Sequence, residues 1–188
     1  KVMSSEAQAC FTYIFMPVFV ISLLSQFVYQ PVISKMALLW HEKKISQFNK
    51  LILRQIALIL LLSVAAIIGG YLLGIPVLSL IYGVDLTDYK KSLVILLIGG
   101  GALAIVNFLQ MIITVARKQK LLNIGYLLAF LLFVFGGKTI TEKHGMIGIS
   151  VFYTAVVMIL GAVFIVLTIG IIKGYANSDG KTVAEKKQ

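Results

Sequence analysis

The sequence predicts an all-α integral membrane protein with five transmembrane helices plus a short interfacial helix. Hydrophobic residues make up 60% of the 188-residue chain, with a mean hydropathy of +1.00, whereas soluble domains carry about 45–50% apolar residues. Five apolar runs approach or exceed the roughly 20 residues that span a bilayer as a helix. Lysines and arginines cluster between alternate runs, which is the charge pattern of a multi-pass membrane protein.

The first predicted span covers residues 9–30. It follows a polar N-terminal end, residues 1–8, that we expect to lie on the external side of the membrane. Pro31 ends or kinks this helix, because proline has no amide hydrogen to donate. Residues 33–48 then mix apolar side chains with lysines and Trp40. That mixture is typical of a helix lying in the membrane interface, where a tryptophan ring is favoured.

The later spans are separated by short polar turns, and each must be helical because lipid offers no partner to an open backbone. Between the second and third spans, residues 75–83 are too few to cross a bilayer and form a short interfacial helix, with Pro76 near its start. Residues 175–188 form a cytoplasmic tail, so the transmembrane bundle occupies residues 9–174. The four later spans are predicted at residues 52–73, 92–116, 121–135 and 146–172.

The positions of the basic residues predict the orientation of the chain. Alternation of five spans places most of them on one side, which the positive-inside rule identifies as cytoplasmic. The inner set is Lys35, Lys43, Lys44, Lys50, Arg54, Arg117, Lys118, Lys120, Lys173, Lys181, Lys186 and Lys187, and the outer set is Lys1, Lys90, Lys91, Lys138 and Lys143. We therefore expect a multi-pass membrane protein with a cytoplasmic C-terminus. The chain opens outside on a lysine, so we also expect a longer protein with at least one further span upstream.

Several classes of function find no support in the residues. The net charge of +10 is not arranged as a basic stripe on a soluble fold, so we expect no nucleic-acid partner. Cys10 is the only cysteine and can form neither an internal disulfide nor a thiolate metal cluster. His41 and His144 lie in loops at opposite faces. No catalytic triad, paired carboxylates or phosphate-binding loop is present, so we expect no enzymatic activity, no cofactor and no metal.

Small residues indicate how the helices associate, because packing between small faces drives helix association in lipid. The third span carries three successive glycines, Gly99, Gly100 and Gly101. Two interpretations remain open. The glycines allow tight packing, or Gly100 and Gly101 form a hinge that lets this span bend during a transport cycle.

Uncharged polar residues are the candidate site, since no Asp, Glu, Lys or Arg lies deep within a predicted span. Two sets fall on single helical faces: Ser22, Ser25, Gln26, Tyr29 and Gln30 in the first span, and Asn107, Gln110, Met111 and Thr114 in the third. They form ordinary interhelical hydrogen bonds, or the amides of Gln26, Gln30, Asn107 and Gln110 line a cavity for a polar headgroup, because amides suit sugar hydroxyls. Arg54 is either a snorkelling anchor or a phosphate contact.

Four stretches carry a resemblance to a known family: YIFMPVFVISLLSQFVYQPVISKMALLW, GIPVLSLIYGVDLTDYKKSLVILLIGGG, ARKQKLLNIGYLLA and EKHGMIGISVFYT. Nearly all of residues 11–172 resembles the C-terminal half of bacterial polysaccharide flippases. These belong to the multidrug/oligosaccharidyl-lipid/polysaccharide exporter superfamily, and the expected fold is MATE-like. The resemblance implies two pseudo-symmetric six-helix bundles, with these five spans as helices eight to twelve and the N-terminal half of the same chain as partner.

The resemblance also implies a function and a location. The function is the flipping of undecaprenyl-diphosphate-linked oligosaccharide repeat units across the bacterial plasma membrane for surface polysaccharide synthesis. Polysaccharide polymerase or assembly proteins are the further partners that it implies. Members of the family often bind the diphosphate through basic residues in the cavity. Gln30 departs from this pattern, because it stands where a base is expected before Pro31. Two alternatives remain: a cation-coupled multidrug exporter of the same superfamily, and a non-transporting membrane scaffold of polysaccharide assembly.

Overall fold

The chain forms an all-α membrane bundle, as the sequence predicts. The computed structural model describes the backbone of residues 5–185 and the side chains of residues 5–175. Its α-helices are α1 (Ser5–Tyr29), α2 (Ile33–His41), α3 (Ile45–Gly69), α4 (Ile75–Tyr82), α5 (Lys90–Val115) and α6 (Leu122–Glu185). Four helical stretches within the described residues are long and apolar enough to cross a membrane: Ser5–His41, Ile45–Tyr82, Thr87–Val115 and Gln119–Tyr175.

Pro31 interrupts the first helix, as predicted. The α-helix stops at Tyr29, a turn of 3₁₀-helix covers Gln30–Val32, and α2 begins at Ile33. The single helix expected over residues 33–48 is instead divided. It breaks between His41 and Ile45, because the backbone at Lys43 turns left-handed, with a φ of 59°.

The second stretch is longer than the predicted span at residues 52–73. Helix α3 begins at Ile45, and a π-helical segment, Gly70–Gly74, carries it into α4 without a break. The predicted interfacial helix at residues 75–83 corresponds to α4, which therefore continues a long apolar helix. The left-handed glycine at position 83 ends it, with a φ of 65°, as is common for glycine at helix C-termini.

Pairs of neighbouring residues on different helices show in which direction each helix runs relative to α5. Helix α1 approaches α5 at Val18–Gly100 and Ser22–Asn107. Helix α3 approaches α5 at Ser63–Gly101, and the π-helical segment that continues α3 approaches it at Gly70–Leu97. Residue numbers rise together in the first set, so α1 runs parallel to α5. They run in opposite senses in the second set, so α3 is antiparallel to α5.

Helix α6 consists of two helices joined at Gly145, whose φ of 57° and ψ of −140° are not helical. We call residues 122–144 the first arm and residues 146–185 the second arm. The facing ring pairs are Phe133–Phe152, 5.4 Å apart, and Tyr126–Phe164, 5.5 Å apart. The two arms are therefore antiparallel. The second arm runs parallel to α5, since Thr154 and Gly161 approach Ile95 and Val106 respectively.

Two helices at one end of the bundle finish in an unusual turn. Both α2 and α5 end in a Schellman motif, in which two amides beyond the helix donate to carbonyls of its last turn. The left-handed residue is Lys43 in the first motif and Arg117 in the second, with φ values of 59° and 58°. Glycine is the usual residue there, and a side chain costs roughly 1–2 kcal/mol. At the other end of the bundle the left-handed residues are Gly83 and Gly145.

Three neighbouring helices closely approach α5 at its three glycines. Successive helical residues point about 100° apart, and each of these glycines faces a different helix. A Cβ atom would lie 2.7 Å from Thr154 Oγ1 at Gly99, 3.3 Å from the Val18 Cα at Gly100, and 3.0 Å from the Ser63 Cβ at Gly101. The second arm, α1 and α3 thus approach α5 at one level because no side chain intervenes.

We expect Gly100→Leu to destabilise the protein by about 1–3 kcal/mol, because the new side chain would overpack against the α1 backbone. Gly69→Leu is the matched control, since a Cβ at Gly69 has no atom within 4 Å and leucine favours the helix. Thermal unfolding of the detergent-purified variants measures both effects. Equal losses of stability in the two variants would contradict this account of the packing.

Candidate functional site

A row of uncharged polar side chains follows the line where α5 meets α1 and the first arm. The Asn107 amide donates a hydrogen bond to the Ser22 hydroxyl at 2.9 Å. The Tyr126 hydroxyl donates to Gln110 Oε1 at 2.5 Å. We call this row the amide seam, and its members are Ser22, Gln26, Gln30, Asn107, Gln110 and Tyr126.

Helical spacing explains how the seam forms. Asn107 and Gln110 are three residues apart on α5, and Ser22, Gln26 and Gln30 follow one another at four-residue intervals on α1, so each set lies on one face. Because α1 and α5 are parallel, the Ser22–Asn107 bond places the two stripes side by side toward the same end of the bundle.

Two members of the predicted α1 stripe belong to the core instead. The Ser25 hydroxyl is buried and donates to the Ile21 carbonyl of its own helix at 2.8 Å. The Tyr29 ring is buried against Phe108, with ring centroids 5.5 Å apart. Tyr29 therefore packs α1 against α5, and the less buried Gln26 and Gln30 lie at the edge of this contact.

The seam is open rather than sealed within the described bundle. Gln26, Asn107 and Gln110 are half-buried, Gln30 is exposed, and Tyr126 is 40% exposed. Polar groups at membrane depth face a bundle interior or a water-filled space rather than lipid. The open side of the seam is therefore suited to a polar ligand or to another polar protein surface.

The predicted site residues are only partly brought together. Asn107 and Gln110 lie in the seam with the α1 stripe, although neither Gln26 nor Gln30 hydrogen-bonds to another side chain within the described residues. Arg54 lies elsewhere. It lines a cleft of about 200 Å³ between α2 and α3, beside Lys35 and Lys50, and no seam residue lines that cleft.

The predicted hinge residues, Gly100 and Gly101, are buried within an uninterrupted α-helix. Their neighbours fit the packing interpretation, since a Cβ atom at Gly100 would lie 3.3 Å from both the Val18 Cα and the Ile21 Cδ1 of α1. A bend at this point during transport remains a prediction.

Two buried polar residues, Gln55 and Thr168, were not predicted from the sequence. They are 3% and 5% exposed, and Gln55 Oε1 and Thr168 Oγ1 have no hydrogen-bond partner among the described residues. Thr168 lines an apolar cavity of about 480 Å³ between α3 and the second arm. Helical spacing indicates the burial of Gln55, because it lies three residues after Ile52 and four before Ile59. Both isoleucines are buried.

The acidic residues of the described region lie in turns or near helix ends, away from the seam. The Asp85 carboxylate accepts hydrogen bonds from the Thr87 hydroxyl at 2.6 Å and the Thr87 amide at 2.9 Å. These bonds hold the pKa of Asp85 below its usual value. Among the described residues, no three His, Cys, Asp or Glu side chains lie close enough together to hold a metal ion.

The chemistry available at the seam is thus hydrogen bonding by neutral amides and hydroxyls, which provide both donors and acceptors. Comparison of the chain with protein-family models, with curated proteins and with solved structures finds no match.

Gln55→Leu is expected to raise the free energy of unfolding by about 1 kcal/mol, because it removes a buried acceptor that lacks a partner. Thermal unfolding of the purified protein measures this. Gln47→Leu, an exposed glutamine on the same helix, is the matched control and should change stability little. A loss of stability in Gln55→Leu would show that the Gln55 amide has a partner after all.

Proposed function

We propose that the chain is part of a membrane transporter that flips undecaprenyl-diphosphate-linked oligosaccharide repeat units across the bacterial plasma membrane for surface polysaccharide synthesis. The observation that carries the proposal is the amide seam, a partly exposed row of neutral donors and acceptors where α5 meets α1 and the first arm. Sugar hydroxyls can exchange hydrogen bonds with water for bonds with such amides. The lipid tail would stay in the bilayer while the headgroup passes along the seam.

In this proposal the chain crosses the membrane five times in a MATE-like arrangement, because α6 crosses twice. As one straight helix its 64 residues would extend about 96 Å, roughly three times the 30 Å hydrocarbon core. The non-helical backbone at Gly145 and the facing rings of the two arms support a reversal at this point. Each arm is then long enough for one crossing.

The proposed orientation places the C-terminus in the cytoplasm. Helices α1, α5 and the second arm finish at the end of the bundle where Arg117, Lys118, Lys120 and Lys173 lie. An excess of bases marks the cytoplasmic side in multi-pass proteins. The opposite end carries fewer bases, chiefly Lys90, Lys91, Lys138 and Lys143.

A second bundle, the N-terminal half of the same protein, is part of the proposal because the seam is open on one side. Two bundles facing each other across a polar interior would expose the site alternately to the two sides of the membrane. Bending at Gly100 and Gly101 would accompany that motion. Polysaccharide polymerase or assembly proteins are the further proposed partners.

Two alternative functions, a multidrug exporter and a scaffold, differ from the proposed flippase in what they require of the seam. A cation-coupled multidrug exporter would use a carboxylate near its site, and the described seam contains amides and hydroxyls. A non-transporting scaffold of polysaccharide assembly would need no open polar row, and its loss would not cause lipid-linked intermediates to accumulate.

The five crossings predict a pattern of labelling by a membrane-impermeant maleimide. In a Cys10→Ser background, Asp88→Cys and Lys143→Cys should react in intact spheroplasts, and Lys118→Cys should react only after permeabilisation. All three positions are exposed in turns or near helix ends. Labelling of Lys143→Cys on the same side as Lys118→Cys would rule out a crossing by the first arm.

The transport proposal predicts that Asn107→Leu and Gln110→Leu each lower flipping by roughly tenfold, since losing a hydrogen bond to a desolvated polar group costs about 1–3 kcal/mol. The measurement is the amount of lipid-linked intermediate held on the inner leaflet of cells that depend on the variant. Thr12→Val is the control, because the Thr12 hydroxyl is exposed and bonds to Gln8 of its own helix.

Unaltered surface polysaccharide in Asn107→Leu and Gln110→Leu would refute the role of the seam. Loss of polymer without accumulation of the intermediate would support the scaffold alternative, and a gain in sensitivity to small cationic drugs would support the exporter.

A further inference from the structure

A large cavity opens at the basic end of the bundle, separate from the amide seam. Its volume is about 1160 Å³, and it lies between Trp40, the loop after α5 and the last described turns of the second arm. One wall is cationic and the other apolar, and the described lining contains no acidic residue. The cationic residues are Arg117, Lys118 and Lys120, and the apolar ones include Val166, Leu167 and Ile171.

An aromatic pair closes one side of this cavity. The Trp40 ring stacks on the Tyr175 ring, with centroids 4.3 Å apart, and both residues line the cavity. Tryptophan and tyrosine are favoured at the depth of lipid headgroups. The cavity therefore lies where the hydrocarbon of the bilayer gives way to charged headgroups.

Arg117 is held at this cavity in a backbone conformation that favours glycine, with a φ of 58°. Its exposed side chain forms no ion pair with any acidic residue in the described part of the chain. Residues kept in sparsely populated conformations are often functional. The Arg117 guanidinium group faces the cavity and is unpaired within the described bundle. It is therefore available to bind an anion that is not part of the protein.

We propose that this cavity binds an anionic phospholipid, with the headgroup phosphate against Arg117 and the neighbouring lysines and an acyl chain along the apolar wall. A guanidinium group pairs with phosphate through two parallel hydrogen bonds. The apolar wall continues onto the lipid-facing surface, since Val166 is 68% exposed. That continuity favours a lipid over a free phosphate ester. The binding does not depend on what the protein transports.

Quenching of tryptophan fluorescence tests the proposal, because Trp40 is the only tryptophan in the chain and lines the cavity. The full chain is reconstituted in phosphatidylcholine vesicles that contain brominated phosphatidylglycerol or, for comparison, brominated phosphatidylcholine. Brominated phosphatidylglycerol should quench at a lower mole fraction. Arg117→Gly should reduce that preference roughly fivefold, the factor that corresponds to one base near an anionic surface.

The same variant separates binding from folding. Arg117→Gly should raise the unfolding temperature by about 2–4 °C, because glycine relieves the left-handed backbone, while the lipid preference falls. Arg117→Gln should lose the preference without gaining stability. Lys50→Gln removes a base from the same end of the bundle but outside the cavity, and should leave the preference unchanged.

Three results would overturn the proposal. The first is an unchanged preference for phosphatidylglycerol in both Arg117 variants. The second is an equal loss in Lys50→Gln, which would indicate diffuse surface charge instead of a site. The third is removal of the preference by millimolar glycerol 1-phosphate in solution, which would identify a soluble phosphate ester as the ligand.

Discussion

The close approach of three helices to the glycines at positions 99–101 is the contact on which the rest of the bundle depends. Lipid tails are as apolar as leucine, so burial of side chains drives helix association only weakly in a membrane. Short distances between backbones supply dispersion contacts instead. Because α1, α3 and the second arm all reach α5 at one level, the positions of Asn107 and Gln110, about two turns further along, are defined relative to their partners.

Hydropathy and Pro31 predicted most of the helices, because a lipid environment allows few alternatives to a helix. The division of residues 33–48 was not predictable in this way. It depends on Lys43 adopting a backbone conformation for which glycine is the recognisable signal. The first arm also continues beyond the predicted end at residue 135 to residue 144, since backbone hydrogen bonds within a helix do not require apolar side chains.

Periodicity predicted the two polar stripes of the seam but not their partners. Spacing along a helix assigns a residue to a face, whereas the neighbour opposite that face depends on packing over long sequence separations, as in Ser22–Asn107. The same limit applies to Arg54, which α3 presents to α2 rather than to the seam. Gln55 and Thr168 could be recognised only once burial was known.

The parallel pairing of α1 with α5 has a consequence for how the chain is made. Parallel neighbours cannot be joined by a short hairpin, so their contacting residues lie far apart in the sequence. Ser22 emerges from the ribosome 85 residues before Asn107, its partner on α5. The Asn107 amide thus enters the bilayer when its acceptor is already in place, whereas Gln110 must await Tyr126 on the following helix. The two hydrogen bonds of the seam can therefore form only in the order of synthesis, Ser22–Asn107 first and Gln110–Tyr126 second.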